Sequence, residues 1–274
     1  MLQEATLAFI GSGAMAEAMI KGILADNLID PKRVTASGPR PERGQELRGR
    51  YGIRTTTDNV AAARSAQIVV LSVKPQILPK VMAELSACLL PEALVISIVA
   101  GTRISVIGRM LGIPAIVRAM PNTPGQIGQG MTVWTATPAV GEKARHQAQA
   151  ILGALGKELF VGDEAYLDMA TALSGTGPAY VFLVIEALID AGVHMGFSRR
   201  IAQELVLQTM AGSVAIALET GLHPAELRNR VTSPGGTSAS AIYELEKGGL
   251  RTVISKAVWA AYQKSKQLGE LAEK

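Results

Sequence analysis

The sequence predicts an α/β domain on a doubly wound, mostly parallel sheet, followed by an all-helical region. Three observations carry this expectation. Up to about residue 162, short β-rich runs alternate with helical segments. Two of the runs, "IVVLSV" and "ALVISIV", are apolar almost throughout, as strands covered on both faces are. After Val161 the strand signals stop.

In the first part, strands are expected at 6–10, 33–37, 67–73, 93–99, 114–118, 130–135 and 157–161. Helices fall between them at 14–26, 40–51, 59–64, 76–88, 103–111 and 141–155. In the second part the expected helices are 163–173, 178–195, 198–219, 224–231, 237–247 and 250–272. Pro178 suits a first helical turn, Gly221 ends the preceding helix, and Pro224 opens the next. The segments "PAYVFLVIEALIDAGVHMGF" and "IAQELVLQTMAGSVAIAL" are apolar around most of their circumference and need burial on more than one side. The economical explanation is a homodimer or larger assembly through these helices. A domain boundary is therefore expected near residue 162, dividing the chain into 1–162 and 163–274.

Composition bounds the function. With 48% hydrophobic and 18% charged residues, the chain has ample material for a core. The net charge of +4 is spread without a basic run, which disfavours a nucleic-acid partner. A single cysteine, Cys88, excludes an intramolecular disulfide. No basic region precedes the first apolar run, which reads as a strand rather than a signal peptide. The uncharged stretch between Asp168 and Glu186 is interrupted by Gly175, Gly177 and Pro178. It falls short of the roughly 20 residues of a span. No membrane association is expected, and the location expected is cytoplasmic. The three histidines are isolated and no acidic cluster has ligand spacing, so no metal is expected. His194 and His223 read as ordinary helix-end residues.

The most informative stretch is "TLAFIGSGAMAEAMIKG". Gly11-Ser12-Gly13-Ala14-Met15-Ala16 has the form GxGxxA, placed after the first strand and opening a helix. Gly11 allows the tight turn, Gly13 lets backbone approach a pyrophosphate, and Ala16 keeps the helix close to the strand. The helix N-terminus adds free N–H groups and a positive dipole. The first domain is thus expected to be Rossmann-like and to bind a dinucleotide. An NAD site usually ends its second strand with an acid that binds the ribose hydroxyls. Here the stretch is "VTASGPRPER", with Ser37, Arg40 and Arg43 and no acid at the strand end. That favours a 2′-phosphate and NADP(H), with NAD(H) at lower preference, although both arginines could instead be a solvated helix start.

Asp58-Asn59 could cap a helix or reach the adenosine end. "SVKPQ" (72–76) follows a buried strand at the ligand-binding rim, where Lys74 could be a phosphate contact, a catalytic cation or a solvated lysine. "SIVAG" (97–101) ends another strand with small residues that leave room for a nicotinamide. In the helical half, "LSGTGPAY" and "VTSPGGTSAS" look unlike packing. The second places Pro234, Gly235 and Gly236 before Thr237, Ser238 and an amphipathic helix. It reads either as a nest for a carboxylate or phosphate, or as a capping motif with Thr237 or Ser238 as the cap.

The chain resembles pyrroline-5-carboxylate reductase over essentially its full length. The resemblance rests on "FIGSGAMAEAMIKG", "SVKPQ", "SIVAG", "MPNTP", "ALSGTGPAYVF" and "HPAELRNRVTSPGGTSASAIYELEKGG", in order and spacing. It implies an NADPH-dependent reductase of the C=N bond of Δ1-pyrroline-5-carboxylate, giving L-proline. It also implies a Rossmann-like domain, a helical dimerisation domain, and further assembly into rings of dimers. By this resemblance Gly11, Ser12, Gly13, Ala14 and Met15 hold the pyrophosphate, and Ser37 with Arg40 the 2′-phosphate side. Asn59, Val73, Lys74, Pro75, Ala100 and Gly101 line the rest of the cofactor, while Gly235, Gly236, Thr237 and Ser238 take the substrate carboxylate. Ser238 stands where the family's pattern has threonine, so the hydroxyl survives and rotamer stiffness is reduced. That hydroxyl is the expected catalytic group beside the imine nitrogen, as donor, relay or positioning group. A 3-hydroxyacid dehydrogenase is the nearest rival, but helix 178–195 lacks the lysine such enzymes use. A catalytically silent NADP-binding regulator would leave the two polar stretches without a role.

Overall fold

The structure is a computed structural model that describes residues 2–273. Its strands are β1 (Leu7–Ile10), β2 (Val34–Ser37), β3 (Arg54–Thr56), β4 (Ile68–Leu71), β5 (Leu94–Ser97), β6 (Ile116–Met120), β7 (Gly130–Ala136) and β8 (Gly156–Phe160). They form one eight-stranded sheet in the order β3-β2-β1-β4-β5-β6-β7-β8. Strands β1 to β6 pair in parallel, β7 runs antiparallel to β6, and β8 is parallel to β7. The order reverses at β1, between β2 and β4, which is the switch point where open α/β sheets bind ligands beyond the strands' carboxyl ends.

Helices α1 (Ala14–Ala25), α2 (Pro41–Tyr51), α3 (Asn59–Ala63), α4 (Leu78–Leu85), α5 (Ile104–Leu111) and α6 (Glu142–Gly153) cover the two faces. The alternation of the strands explains the layering. Leu7, Phe9, Val70 and Ile96 face a core completed by Met19, Ile20, Ile151 and Leu152. Ala8, Ile10, Val69 and Val95 face the other core, with Met82, Leu85 and Ile107. Each strand therefore buries both sets of side chains, which accounts for the apolar runs in the sequence.

By contacts the chain divides into Met1–Thr176 with Ala261–Lys274, and Gly177–Ala260. The second unit contains α8 (Gly177–His194), α9 (Arg199–Thr220), α10 (Pro224–Arg230) and α11 (Thr237–Lys247). A last helix, α12 (Leu250–Glu273), begins in this unit, and its final turns belong to the first. Within the helical unit Gly192 of α8 lies against Ala202 of α9, so close that a Cβ at 192 would stand 2.9 Å from that of Ala202. His223 accepts from the Ala225 N–H as the N-cap of α10, and His194 closes α8, both at helix ends as expected.

Two elements differ from expectation. Strand β3 was not anticipated, being too short for periodicity to register. The helix expected at 163–173 is α7 (Tyr166–Ala170), and it does not stop before Gly175. A π-turn at Thr171–Gly175 carries it into α8, with Thr176 N–H donating to the Thr171 carbonyl at 2.8 Å. The expectation that this stretch is too short for a span is thereby corrected. Tyr166–His194 and Arg199–Thr220 are both long and apolar enough, by length and composition, to cross a membrane.

Candidate active site

Gly11 leaves β1 with φ +109°, and a Cβ there would stand 2.6 Å from the Ser72 carbonyl oxygen. Only glycine fits this turn. Its N–H donates to the Ser37 carbonyl at 3.1 Å, which ties the turn to the end of β2. The Ser72 hydroxyl lies 3.1 and 2.9 Å from the carbonyls of Ile10 and Gly11. Gly13, by contrast, faces open space. It is the N-cap of α1 and no side chain caps that helix. The first-turn N–H groups, from Ala14 onward, therefore lack acceptors beside an open approach, which fits a pyrophosphate.

A depression of about 420 Å³ adjoins this turn, lined by Ser12, Gly13, Ala14, Arg40, Glu42, Arg43 and Glu46. The two arginines have different surroundings. Arg43 donates to the Ser12 carbonyl at 3.2 Å and to Glu46 at 2.9 Å, and it pairs closely with Glu17. Burial works against ionisation of Glu17, but hydrogen bonds from Arg43 and from Tyr51 outweigh it and hold its carboxyl below the usual range. Arg40 is exposed at the entrance to α2 and makes no ion pair among the described residues.

Ser37 is fully buried, and its hydroxyl donates to Asn59 Oδ1 at 2.8 Å. The Asn59 amide donates in turn to Glu84 at 2.9 Å. Helix α3 is capped by Asp58, which accepts from the Ala61 N–H at 3.0 Å, so Asn59 is not the cap. Val73 is half-buried beyond β4, and Lys74 and Pro75 are exposed. Ala100 is half-buried; Gly101 is buried with φ +74°, and a Cβ there would meet the Leu268 Cβ of α12 at 3.1 Å.

The helical unit carries the other expected residues. In the turn before α11, Gly235 has φ +70°, and a Cβ at Gly236 would stand 2.5 Å from the Ser233 hydroxyl oxygen. Gly236 is the N-cap of α11 with no side-chain hydrogen bond. The capping reading of Thr237 and Ser238 is therefore not what forms. Neither hydroxyl has a partner among the described residues, and the first-turn N–H groups stand free beside them. Such a cluster suits a carboxylate.

Two polar residues with long-range partners, Arg118 and Asn122, were given no role in the sequence reading. Arg118, in the middle of "IVRAM", is buried and donates to Glu164 at 2.7 Å, with Asp168 3.8 Å away. A lone arginine inside an apolar strand was the available signal. Asn122 donates to the Ser174 carbonyl at 3.1 Å and accepts from the Met131 N–H at 2.8 Å. Pro178 has no N–H to offer Ser174, so the asparagine supplies the missing donor.

Fold and turn define the class: a protein with a dinucleotide-binding α/β unit and a helical unit. The first part, residues 6–101, matches the family described as NADP oxidoreductase, coenzyme F420-dependent. Residues 164–268 match the family described as pyrroline-5-carboxylate reductase dimerisation. A pyrroline-5-carboxylate reductase of Synechocystis is 42% identical over 96% of this chain and 98% of its own. The structure of one from Coxiella burnetii superimposes with TM-score 0.89 at 38% identity, covering 96% and 98% of the two chains. That of Plasmodium falciparum, solved with NADP bound, gives TM-score 0.89 at 34% identity, covering 98% and 100%. The chain belongs to the pyrroline-5-carboxylate reductase family.

Proposed function

We propose that this chain reduces the C=N bond of Δ1-pyrroline-5-carboxylate to L-proline with NADPH, the last step of proline biosynthesis. The observation that carries the reading is the full-length likeness to reductases of this name. The uncapped turn before α11 supports it independently. When bound, the dinucleotide would supply a hydride for the imine carbon, and the nitrogen, protonated from solvent before transfer, would keep that proton as the amine of proline.

The residues of this chain do the rest. Gly11, Ser12, Gly13, Ala14 and Met15 hold the pyrophosphate at the start of α1. Arg40, unpaired, neutralises the 2′-phosphate, while Ser37 fixes Asn59 for the adenosine side. Val73, Lys74, Pro75, Ala100 and Gly101 line the remainder of the cofactor. Gly235, Gly236, Thr237 and Ser238 hold the substrate carboxylate through backbone N–H groups and hydroxyls. The Ser238 hydroxyl donates towards the imine nitrogen. Serine is a poor proton source at neutral pH, so its role is to position and polarise the imine. Holding carboxylate and acceptor carbon in attack geometry supplies much of the rate.

The family's dimerisation region makes the chain a homodimer. We assign cofactor binding to residues 1–162 and dimerisation with substrate binding to 163–274. Assembly of dimers into a ring and a cytoplasmic location belong to the same proposal. The test is NADPH oxidation by purified protein with and without Δ1-pyrroline-5-carboxylate, with NADH alongside. Substrate-dependent oxidation, faster with NADPH, is expected. Faster turnover with NADH would leave the reductase standing and overturn the role of Arg40.

A further inference from the structure

The loop after β5, Ile98–Arg103, is anchored from two directions by residues distant in sequence. At its far end the first helical N–H of α5, that of Ile104, donates to Glu164 Oε1 at 2.8 Å. The same oxygen accepts from buried Arg118 at 2.7 Å. Arg118 also faces Asp168, 3.8 Å away, and Asp168 accepts from the hydroxyl of Ser265 at 2.7 Å. Ser265 lies on the last turns of α12 and is only 4% exposed. The next turn of that helix covers the loop itself. Leu268 sits where a Cβ on Gly101 would come to 3.1 Å, and Gly269 is buried beside the Gly101 carbonyl. All these residues lie in one compact unit.

We propose that the final turns of α12 are a buttress for the cofactor loop, with Ser265 and Asp168 as positioning residues. This rests on the reading that Ala100 and Gly101 line the nicotinamide end of the cofactor. The physical reason is economy of satisfaction. Arg118 and Asp168 are buried charges, each requiring partners, and one inserted hydroxyl completes the set. The hydroxyl fixes the register of α12, and the register decides which residue covers Gly101. With Leu268 and Gly269 in place, the loop cannot sample conformations that swing Gly101 outwards. The loop is then ordered before the cofactor arrives. Loosening it lowers the binding-competent fraction and weakens apparent affinity in proportion.

The experiment compares wild type, Ser265→Ala and Ser265→Thr in the full-length dimer. Amide hydrogen exchange reads segments 98–104 and 261–271, and fluorescence titration reads the Kd for NADPH without substrate. The expected result for Ser265→Ala is faster exchange in both segments and a Kd about three- to tenfold higher. At saturating NADPH its kcat should stay within about twofold of wild type, because the reacting groups are untouched. Ser265→Thr keeps the hydroxyl and should restore slow exchange and affinity. Faster exchange confined to 261–271, with 98–104 unchanged, would overturn the buttress. So would a Kd equal to wild type despite a loosened loop. Wild-type protein that bound no NADPH would sink the cofactor reading instead, and exchange at 98–104 would still judge the buttress.

Discussion

Arg40 and Arg43 sit one helical turn apart, and in sequence they are equivalent candidates for a 2′-phosphate. Their surroundings separate them. Arg43 is committed to Glu17, Glu46 and the Ser12 carbonyl, while Arg40 lines the same depression without an ion pair. Arg40→Ala should therefore raise KM for NADPH about three- to tenfold and leave KM for NADH within twofold, as expected for one exposed charge contact. Steady-state kinetics with both cofactors checks this. Arg43→Ala should act chiefly on stability. At the other site, Ser238 has a free hydroxyl beside uncapped N–H groups. Ser238→Ala should cost about tenfold to a hundredfold in kcat/KM, at or below the low end of acid–base effects. An unchanged value would remove Ser238 from the chemistry. Glycine roles were legible at this scale, because a GxGxxA turn after a strand admits one backbone path. The division of labour between the arginines was not, since it depends on Glu17 one turn into a different helix.

Helices α1 and α2 are joined by Glu17, which receives Arg43, Arg50 and the Tyr51 hydroxyl, the last at 2.9 Å. Because these partners hold the carboxyl below its ordinary value, its stabilising contribution is complete above the unfolded value near 4.5. The contribution is lost as pH falls from there through the lowered folded value, where the unfolded chain binds more protons. Glu17→Gln should lower stability at neutral pH by about 1–2 kcal/mol, between exposed and buried pairs. The gap to wild type should close as pH drops through that window, measured by denaturant unfolding at several pH values.

The joint of α7 and α8 makes a second case. Asn122 satisfies the Ser174 carbonyl that Pro178 leaves without a donor, and holds β7 at the Met131 N–H. Asn122→Ala should cost about 1–3 kcal/mol, seen in the unfolding midpoint, by leaving partly buried groups unpaired. Most elements were legible because strand and helix periods alternate cleanly over the first half. The π-turn was not: Gly175, Gly177 and Pro178 read as a break, and the donor that makes continuity tolerable comes from a distant loop. Strand β3 has only Thr55 and Thr56 as a β signal, and pairing with β2 supplies the rest.

Between Gly177 and Ala260 only Gly192 and Ala202 are buried among the described residues, although this stretch forms α8 to α11 and the first turns of α12. The same helices expose Phe182 (62%), Leu183, Leu205, Val214, Ile216, Leu218 and Trp259. A unit with so little interior cannot offset its conformational entropy alone, so its folding must be coupled to association. The all-round apolarity that the sequence displays is therefore the mark of an interface, in keeping with the likeness of 164–268 to a dimerisation region. Two consequences can be measured. The thermal midpoint should rise with protein concentration, because the folded helices exist at the expense of free monomer. Phe182→Asp should place a charge on that apolar surface and shift the dimer towards monomer in sedimentation equilibrium, while cofactor binding by the other unit persists. A midpoint independent of concentration, together with an intact dimer in Phe182→Asp, would mean that the helical unit is stabilised by something other than its own partner.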